Sequence, residues 1–280
     1  MKTILVPTDF SATAKNAALY ALDFAKQVKA AEIILYNAYQ TMQPVVADPL
    51  LSTAAFPVEL DTFKEISETN LKELQDELTK LANNEVSICT FAEFNTLTDG
   101  INDTCDDRKV DLIIMGITGG GMIEETLIGS NTTIVAKNTN VPVIIVPPNA
   151  RFQTIEEIIL TVDLKSVANT TPVDVIKHLL DVSKAKLFVL HVANDEDIDE
   201  EEKYQERYSL NQLFEGYVFE YFEVKNSSFT DAVNDFATAN NADLIINIPK
   251  KRSLLDRLFK RSHTQMLAFH SHIPLMVVHD

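Results

Sequence analysis

The stretch Met115-Gly116-Ile117-Thr118-Gly119-Gly120-Gly121, continuing through 122–128 into Gly129-Ser130-Asn131-Thr132, decides the reading of this chain. Five of only seven glycines in the protein fall within it, so they are placed rather than scattered. The apolar run Leu112-Ile113-Ile114-Met115 before it reads as a buried strand. The segment after Ser130, with Ile134, Val135 and Ala136 among its apolar positions, reads as a helix. The glycines therefore occupy a strand-to-helix turn, which in an open parallel sheet lies at the carboxyl ends of the strands, where ligands bind. Glycine lets a backbone approach a ligand closely, and a helix start offers unpaired N–H groups and a positive dipole end to an anion. A phosphate group fits that description.

Working outward, residues 2–7 read as a first strand and Thr8-Asp9-Phe10-Ser11 as a turn into a helix from Ala12 to Val28, with Ala17, Ala18, Ala21, Leu22 and Ala25 at helical spacing. Ile33 to Ala38 is a second strand, followed by a loop containing Pro44, Pro49 and Pro57. An amphipathic helix spans Val58 to Leu81, with Leu60, Phe63, Ile66, Leu71, Leu74 and Leu78 as its expected inner face. Strands at Val86–Ala92, Asp111–Met115 and Val141–Val146 alternate with helices at Leu97–Arg108 and Ser130–Asn138. That alternation predicts a parallel, doubly wound α/β sheet.

The pattern then begins again. Ile158 to Leu164 repeats Ile4 to Phe10, with Asp163 in the place of Asp9; Leu187 to Val192 repeats the second strand; Asp243 to Asn247 repeats Asp111 to Met115; and Ile273 to Val278 echoes Val141 to Val146. A repeat this long predicts a duplicated domain, 1–148 and 155–280, with the boundary in Pro147 to Thr154. The halves are not equivalent. Aligned from their ends, Gly116, Gly119 and Gly129 face Ile248, Lys251 and Arg261, whereas Ser130 faces Ser262. Lys250 to Arg261 is strongly basic, and Asp195 to Glu202 is an acidic tract expected to be solvated.

Composition excludes several classes. A formal charge of -17 argues against general nucleic-acid binding, because phosphate backbones are held by surplus Lys and Arg. Only Cys89 and Cys105 are present, so neither a disulfide framework nor a four-cysteine zinc site is available, and both read as small core residues. His263, His270, His272 and His279 lack a metal spacing, and His191 reads as a half-buried strand residue. The opening Met1 to Pro7 is too short for a signal peptide or membrane span, and a cytoplasmic protein is expected.

Gly116, Gly119, Gly129 and Ser130 match, without a gap, a signature of Gly, two residues, Gly, nine residues, Gly and Ser or Thr; with Val6-Pro7-Thr8-Asp9 and the closing strand Val141 to Val146, the chain resembles the universal stress protein family in a tandem form. The resemblance implies two Rossmann-like domains of the adenine nucleotide alpha hydrolase type, each a five-stranded parallel sheet. It also implies an intramolecular pseudo-dimer in which the two closing strands pair, open to further homodimerisation. Of the site it implies that Gly116, Gly119, Gly129, Ser130 and Asn131 cradle the phosphates of ATP, alone or with Mg. Asp9 would contact ribose or base, Pro7 and Thr8 would line the pocket, Ala38 would meet adenine through its main chain, and Met115 would close the floor. The chain departs from the family in its triple glycine and in carrying Glu124 and Glu125 rather than a basic residue in the loop.

The expected function is an ATP-binding protein of stress response or regulation, with the nucleotide in the first half and no catalytic residue assigned. An ATPase or phosphotransferase on the same pocket needs a Lys or Arg at the transferring phosphate, and none is recognisable there, so slow or absent turnover is expected. An adaptor whose second half binds another anionic ligand through Lys250 to Arg261 is the remaining alternative.

Overall fold

A computed structural model describes residues 1–40, 56–117, 129–193, 199–248 and 273–279. Gly119 to Gly121, Pro44 and Pro49, Asp195 to Ile198, the basic stretch Lys250 to Arg261, and His263, His270 and His272 lie outside the described residues. In the first half β1 (Thr3–Pro7), α1 (Ala12–Val28), β2 (Glu32–Tyr39), α2 (Phe56–Ala82), β3 (Ser87–Phe94), α3 (Leu97–Arg108), β4 (Leu112–Gly116), α4 (Ser130–Asn138) and β5 (Val143–Val146) follow one another. The second half contributes β6 (Glu157–Val162), α5 (Val167–Thr170), α6 (Val173–Ser183), β7 (Lys186–Ala193), α7 (Glu200–Leu213), β8 (Phe219–Lys225), α8 (Phe229–Ala239), β9 (Leu244–Asn247) and β10 (Leu275–Val277).

The strands form one ten-stranded sheet in the order β3-β2-β1-β4-β5-β10-β9-β6-β7-β8. Each half is thus a five-stranded parallel sheet, and the two meet where β5 and β10 pair antiparallel with Ile144 opposite Met276. Central strands β1, β4 and β5 are covered on both faces and read as unbroken apolar runs, whereas the edge strands β3 and β8 are partly exposed along their length. Each face carries an apolar cluster that continues from one half into the other.

The repeat extends to side-chain chemistry. Asp111 Oδ2 accepts from the Lys2 and Thr3 N–H groups at 2.5 and 3.0 Å, and Asp243 Oδ2 accepts from Glu156 and Glu157 at 2.8 and 2.9 Å. The connection between the halves is held by α1. The buried Asn16 amide donates to the Pro147 and Ala150 carbonyls at 3.3 and 2.9 Å and accepts from Arg151, while Gln27 and the Ile155 backbone exchange two bonds of 3.0 and 2.9 Å. Asn16 leaves neither linker carbonyl unpaired, which would be costly at a buried position.

Two expectations need correction. Pro57, assigned to the proline-rich loop, stands in the first turn of α2, where its missing N–H has no intrahelical partner to lose. The inner face of α2 is Leu71, Leu74, Leu78 and Ala82, continued by Ser67 at 2% exposure; Phe63 and Ile66, placed inward by the apolar count, are 41% and 51% exposed. The halves also differ in that α1 is a single helix of 17 residues, whereas its counterpart is divided into α5 and α6 with Pro172 between them. Gly116 also separates the two halves. A Cβ there would lie 2.8 Å from Thr13 Cγ2 and 3.0 Å from the Thr13 carbonyl oxygen, so α1 seats on β4 only because Gly116 has no side chain. The second half carries buried Ile248 at that place.

The thiol of Cys105 is buried and that of Cys89 half-buried. Burial, with Glu32 beside it, pushes Cys89 up to about 11, and burial with Asp106 pushes Cys105 up to about 12. Because the folded values are raised, the stability these thiols contribute is complete below the ordinary thiol range and is lost as pH rises through 11 to 12. At pH 8 the folded chain should be alkylated by iodoacetamide about 100-fold more slowly than the unfolded chain, since the thiolate is the nucleophile. Mass-spectrometric labelling kinetics check this.

Candidate functional site

The carboxyl ends of β1 and β4 lie side by side at the point where the chain reverses its direction of travel across the sheet, which is where open α/β sheets form a crevice. A cleft of about 600 Å³, its open mouth included, is found there. Pro7, Thr8, Asp9, Ala38, Met115, Gly116 and Asn131 line it, together with Ala14, Asn37, Leu97 and Thr132, which sequence reasoning missed; Gly129 and Ser130 do not line it.

The β1–α1 turn is built from its own polar atoms. Thr8 N–H donates to the Tyr36 carbonyl at 2.8 Å, Phe10 N–H to Thr8 Oγ1 at 3.0 Å, and Ser11 N–H to Asp9 Oδ1 at 3.1 Å. Phe10 takes the left-handed conformation at φ 64°. Asp9 therefore shapes the turn, while the helix cap is Ser11, whose Oγ accepts from Ala14 N–H at 3.2 Å. The second half reproduces the turn: Asp163 Oδ1 accepts from Lys165 N–H at 3.0 Å, and Leu164 has φ 53°.

At the end of β2, Asn37 is fixed by two bonds. Its Nδ2 donates to the Thr8 carbonyl at 2.7 Å, and its Oδ1 accepts from Ser67 Oγ at 2.7 Å. This explains why Ser67 faces inward on α2. A signal was available, since a strand-end Asn between apolar residues needs partners; what the sequence concealed was which helix position supplies them. His191 holds the matching place in β7, with Nδ1 3.1 Å from the Val162 carbonyl, and is buried rather than half-buried as expected.

One side of the cleft is the start of α4. Gly129 N–H donates to the Ile117 carbonyl at 2.7 Å, so the two ends of the glycine-rich stretch meet. Thr132 Oγ1 donates to the Gly116 carbonyl at 2.8 Å and ties the helix to the strand end. Gly129, not Ser130, is the N-cap, and it supplies no side-chain cap; Ser130 is the exposed first residue of the helix. The first backbone bond of α4 runs from Thr133 N–H to the Gly129 carbonyl at 3.0 Å, so the N–H groups of Ser130, Asn131 and Thr132 precede the intrahelical ladder. With their dipole they favour an anion.

Among the described lining residues there is no Lys, Arg or His, and Asp9 is the one carboxylate. The described residues contain no cluster of His, Cys, Asp and Glu able to hold a metal ion. Nor is any of their helices long and apolar enough to cross a membrane.

A 3-2-1-4-5 sheet that is duplicated, with a cleft at the switch point of its first copy, defines a doubly wound α/β protein. Residues 1–147 and 154–279 each match the Universal stress protein family, and the chain belongs to that family. It is 32% identical over 160 residues to universal stress protein MJ0577 of Methanocaldococcus jannaschii, covering 52% of this chain and 94% of that protein. Universal stress protein MJ0531 of the same organism is 30% identical over 146 residues, covering 52% of this chain and 81% of its own. Over the full length, the crystal structure of a universal stress protein from Archaeoglobus fulgidus matches with a TM-score of 0.73 at 18% identity, covering 99% of this chain and 98% of that one, a likeness of fold.

Proposed function

We propose that the first half binds an adenine nucleotide, ATP, and that the protein acts in stress response or regulation through the occupancy of that cleft. The observation that carries this reading is the start of α4, which has no side-chain cap and opens beside Asn131 and Thr132 into a cleft walled by Pro7, Thr8 and Asp9. In this reading Gly116, Gly119, Gly129, Ser130 and Asn131 surround the phosphates. Asp9 and the main chain of Ala38 face the ribose and base over Met115. The triphosphate is met by N–H dipoles rather than basic side chains, so Mg accompanying the nucleotide offsets repulsion from Asp9 and from a chain of net charge -17.

Turnover is not expected. Phosphoryl transfer draws on a cation at the transferring phosphate, and the described lining offers none. The two halves, joined through β5 and β10, act as an intramolecular pseudo-dimer with one working cleft. Calorimetric titration of the full chain with ATP and Mg tests the proposal. Binding at one nucleotide per chain is the expected result. Absence of heat, or a stoichiometry of two, overturns it.

A further inference from the structure

The second half has a small pocket of its own between α8 and the sheet. Thr161 and Asn247 line it, in the places that Pro7 and Met115 hold in the first half, along with Thr230 and Asn234 from α8 and the apolar Phe229 and Ile245. Three buried side-chain polar atoms lack a partner among the described residues, and two of them, Asn234 Nδ2 and Asn247 Oδ1, belong to residues of this one cavity.

The orientation of the Asn247 amide follows from its neighbour. Thr161 Oγ1 donates to the Ile246 carbonyl at 3.2 Å, so it is left to accept, and Asn247 Nδ2 donates to it at 2.9 Å. The Asn247 oxygen is thereby left unpaired in a residue only 5% exposed. A buried amide oxygen and a buried amide N–H on one cavity are a complementary acceptor and donor. Leaving both unmade is expensive.

We propose that this cavity binds a single water molecule, which accepts from Asn234 Nδ2 and donates to Asn247 Oδ1. The pocket has room for about one water, and the two amides supply the two polar partners that such a water needs. A nucleobase is too large for it. The position of Met115, the floor of the first cleft, has thus become part of a hydration site in the second half.

A high-resolution crystal structure of the full chain tests the proposal directly. The expected result is one density peak within about 2.7–3.2 Å of both amide atoms. An empty cavity, direct contact between the two amides, or a larger bound molecule overturns it. Asn234→Leu and Asn247→Leu, singly and together, provide a second reading. Each single substitution displaces the water and strands the other amide, lowering Tm by roughly 2–6 °C, and the double variant should recover more than half of the summed loss. Fully additive losses would overturn the shared water. Neither measurement depends on ATP binding in the first half.

Discussion

Gly129→Arg should abolish ATP binding while leaving the protein folded. Gly129 is buried at the N-cap of α4, with φ -58° and ψ 146°, a conformation open to any L-residue, so the substitution imposes no backbone strain. An arginine side chain there starts beside the N–H groups of Ser130, Asn131 and Thr132, the surface proposed to receive phosphate, and is expected to cover it. The same residue type stands at the aligned position of the second half, Arg261, so the variant imports that half's solution into the first. ATP affinity is expected to fall by at least about 100-fold, or roughly 2.7 kcal/mol, in calorimetric titration. Gly129→Ala, with one added methyl, should give a smaller loss. Circular dichroism and thermal melting should stay near those of the parent. Retained affinity in a folded Gly129→Arg protein would remove this helix start from the site.

The largest effect on stability is expected at Gly100, in α3. A Cβ there would lie 1.9 Å from Tyr36 Oη and 2.9 Å from Glu93 Oε2, where the Tyr36 hydroxyl donates to that carboxylate at 3.1 Å. Tyr36 is fully buried in β2, and burial, with Glu93 beside it, pushes its hydroxyl pKa upward. In an exposed helix, Gly→Ala would stabilise by up to about 1 kcal/mol through propensity. Here the methyl must displace α3 or the tyrosine ring, and overpacking outweighs that gain, for a net loss of about 1–3 kcal/mol in denaturant unfolding. Leu97, the first residue of α3, lines the cleft, so the shift should weaken nucleotide binding as well. Tyr36→Phe removes the nearest obstructing atom. The Gly100→Ala/Tyr36→Phe double variant should therefore be more stable than Gly100→Ala alone, a coupling expected only between residues in contact. Equal losses in the two proteins would mean that the hydroxyl is not the obstacle.

Both predictions turn on glycines, and the two differ in how far the sequence exposed them. Gly129 was legible because it stands at fixed spacing from Gly116 and Gly119 and just before a helical pattern. Gly100 sits in the first turn of an ordinary amphipathic helix. Only the position of Tyr36 on the neighbouring strand explains it. Gly116 belongs to both groups: its place in the motif marked a ligand contact, but the fold adds a packing role against Thr13 that no local pattern encodes.

The polar lining of the cleft divides in the same way. Pro7, Thr8, Asp9, Met115 and Asn131 follow from chain order, because strand ends in a doubly wound sheet must gather on one edge. Asn37, Thr132 and Ser67 acquire their roles through bonds between distant segments: Asn37 to Thr8 and Ser67, and Thr132 to Gly116. The same bonds correct the phase of α2. Counting apolar residues turned Phe63 and Ile66 inward, but the partner required by Asn37 turns Ser67 inward instead.

By itself the sequence determined the alternation of strands and helices, the duplication and the location of the glycine-rich turn. These follow from local periodicity and backbone freedom, which a chain carries along its own length. Tertiary structure alone decided which helix face is buried, that Gly129 rather than Ser130 caps α4, that α1's counterpart is split, and that Asn234 and Asn247 meet on one cavity. Each depends on atoms brought within a few ångströms from positions far apart in the chain, and hydrogen-bond satisfaction and steric exclusion act only once those atoms are neighbours.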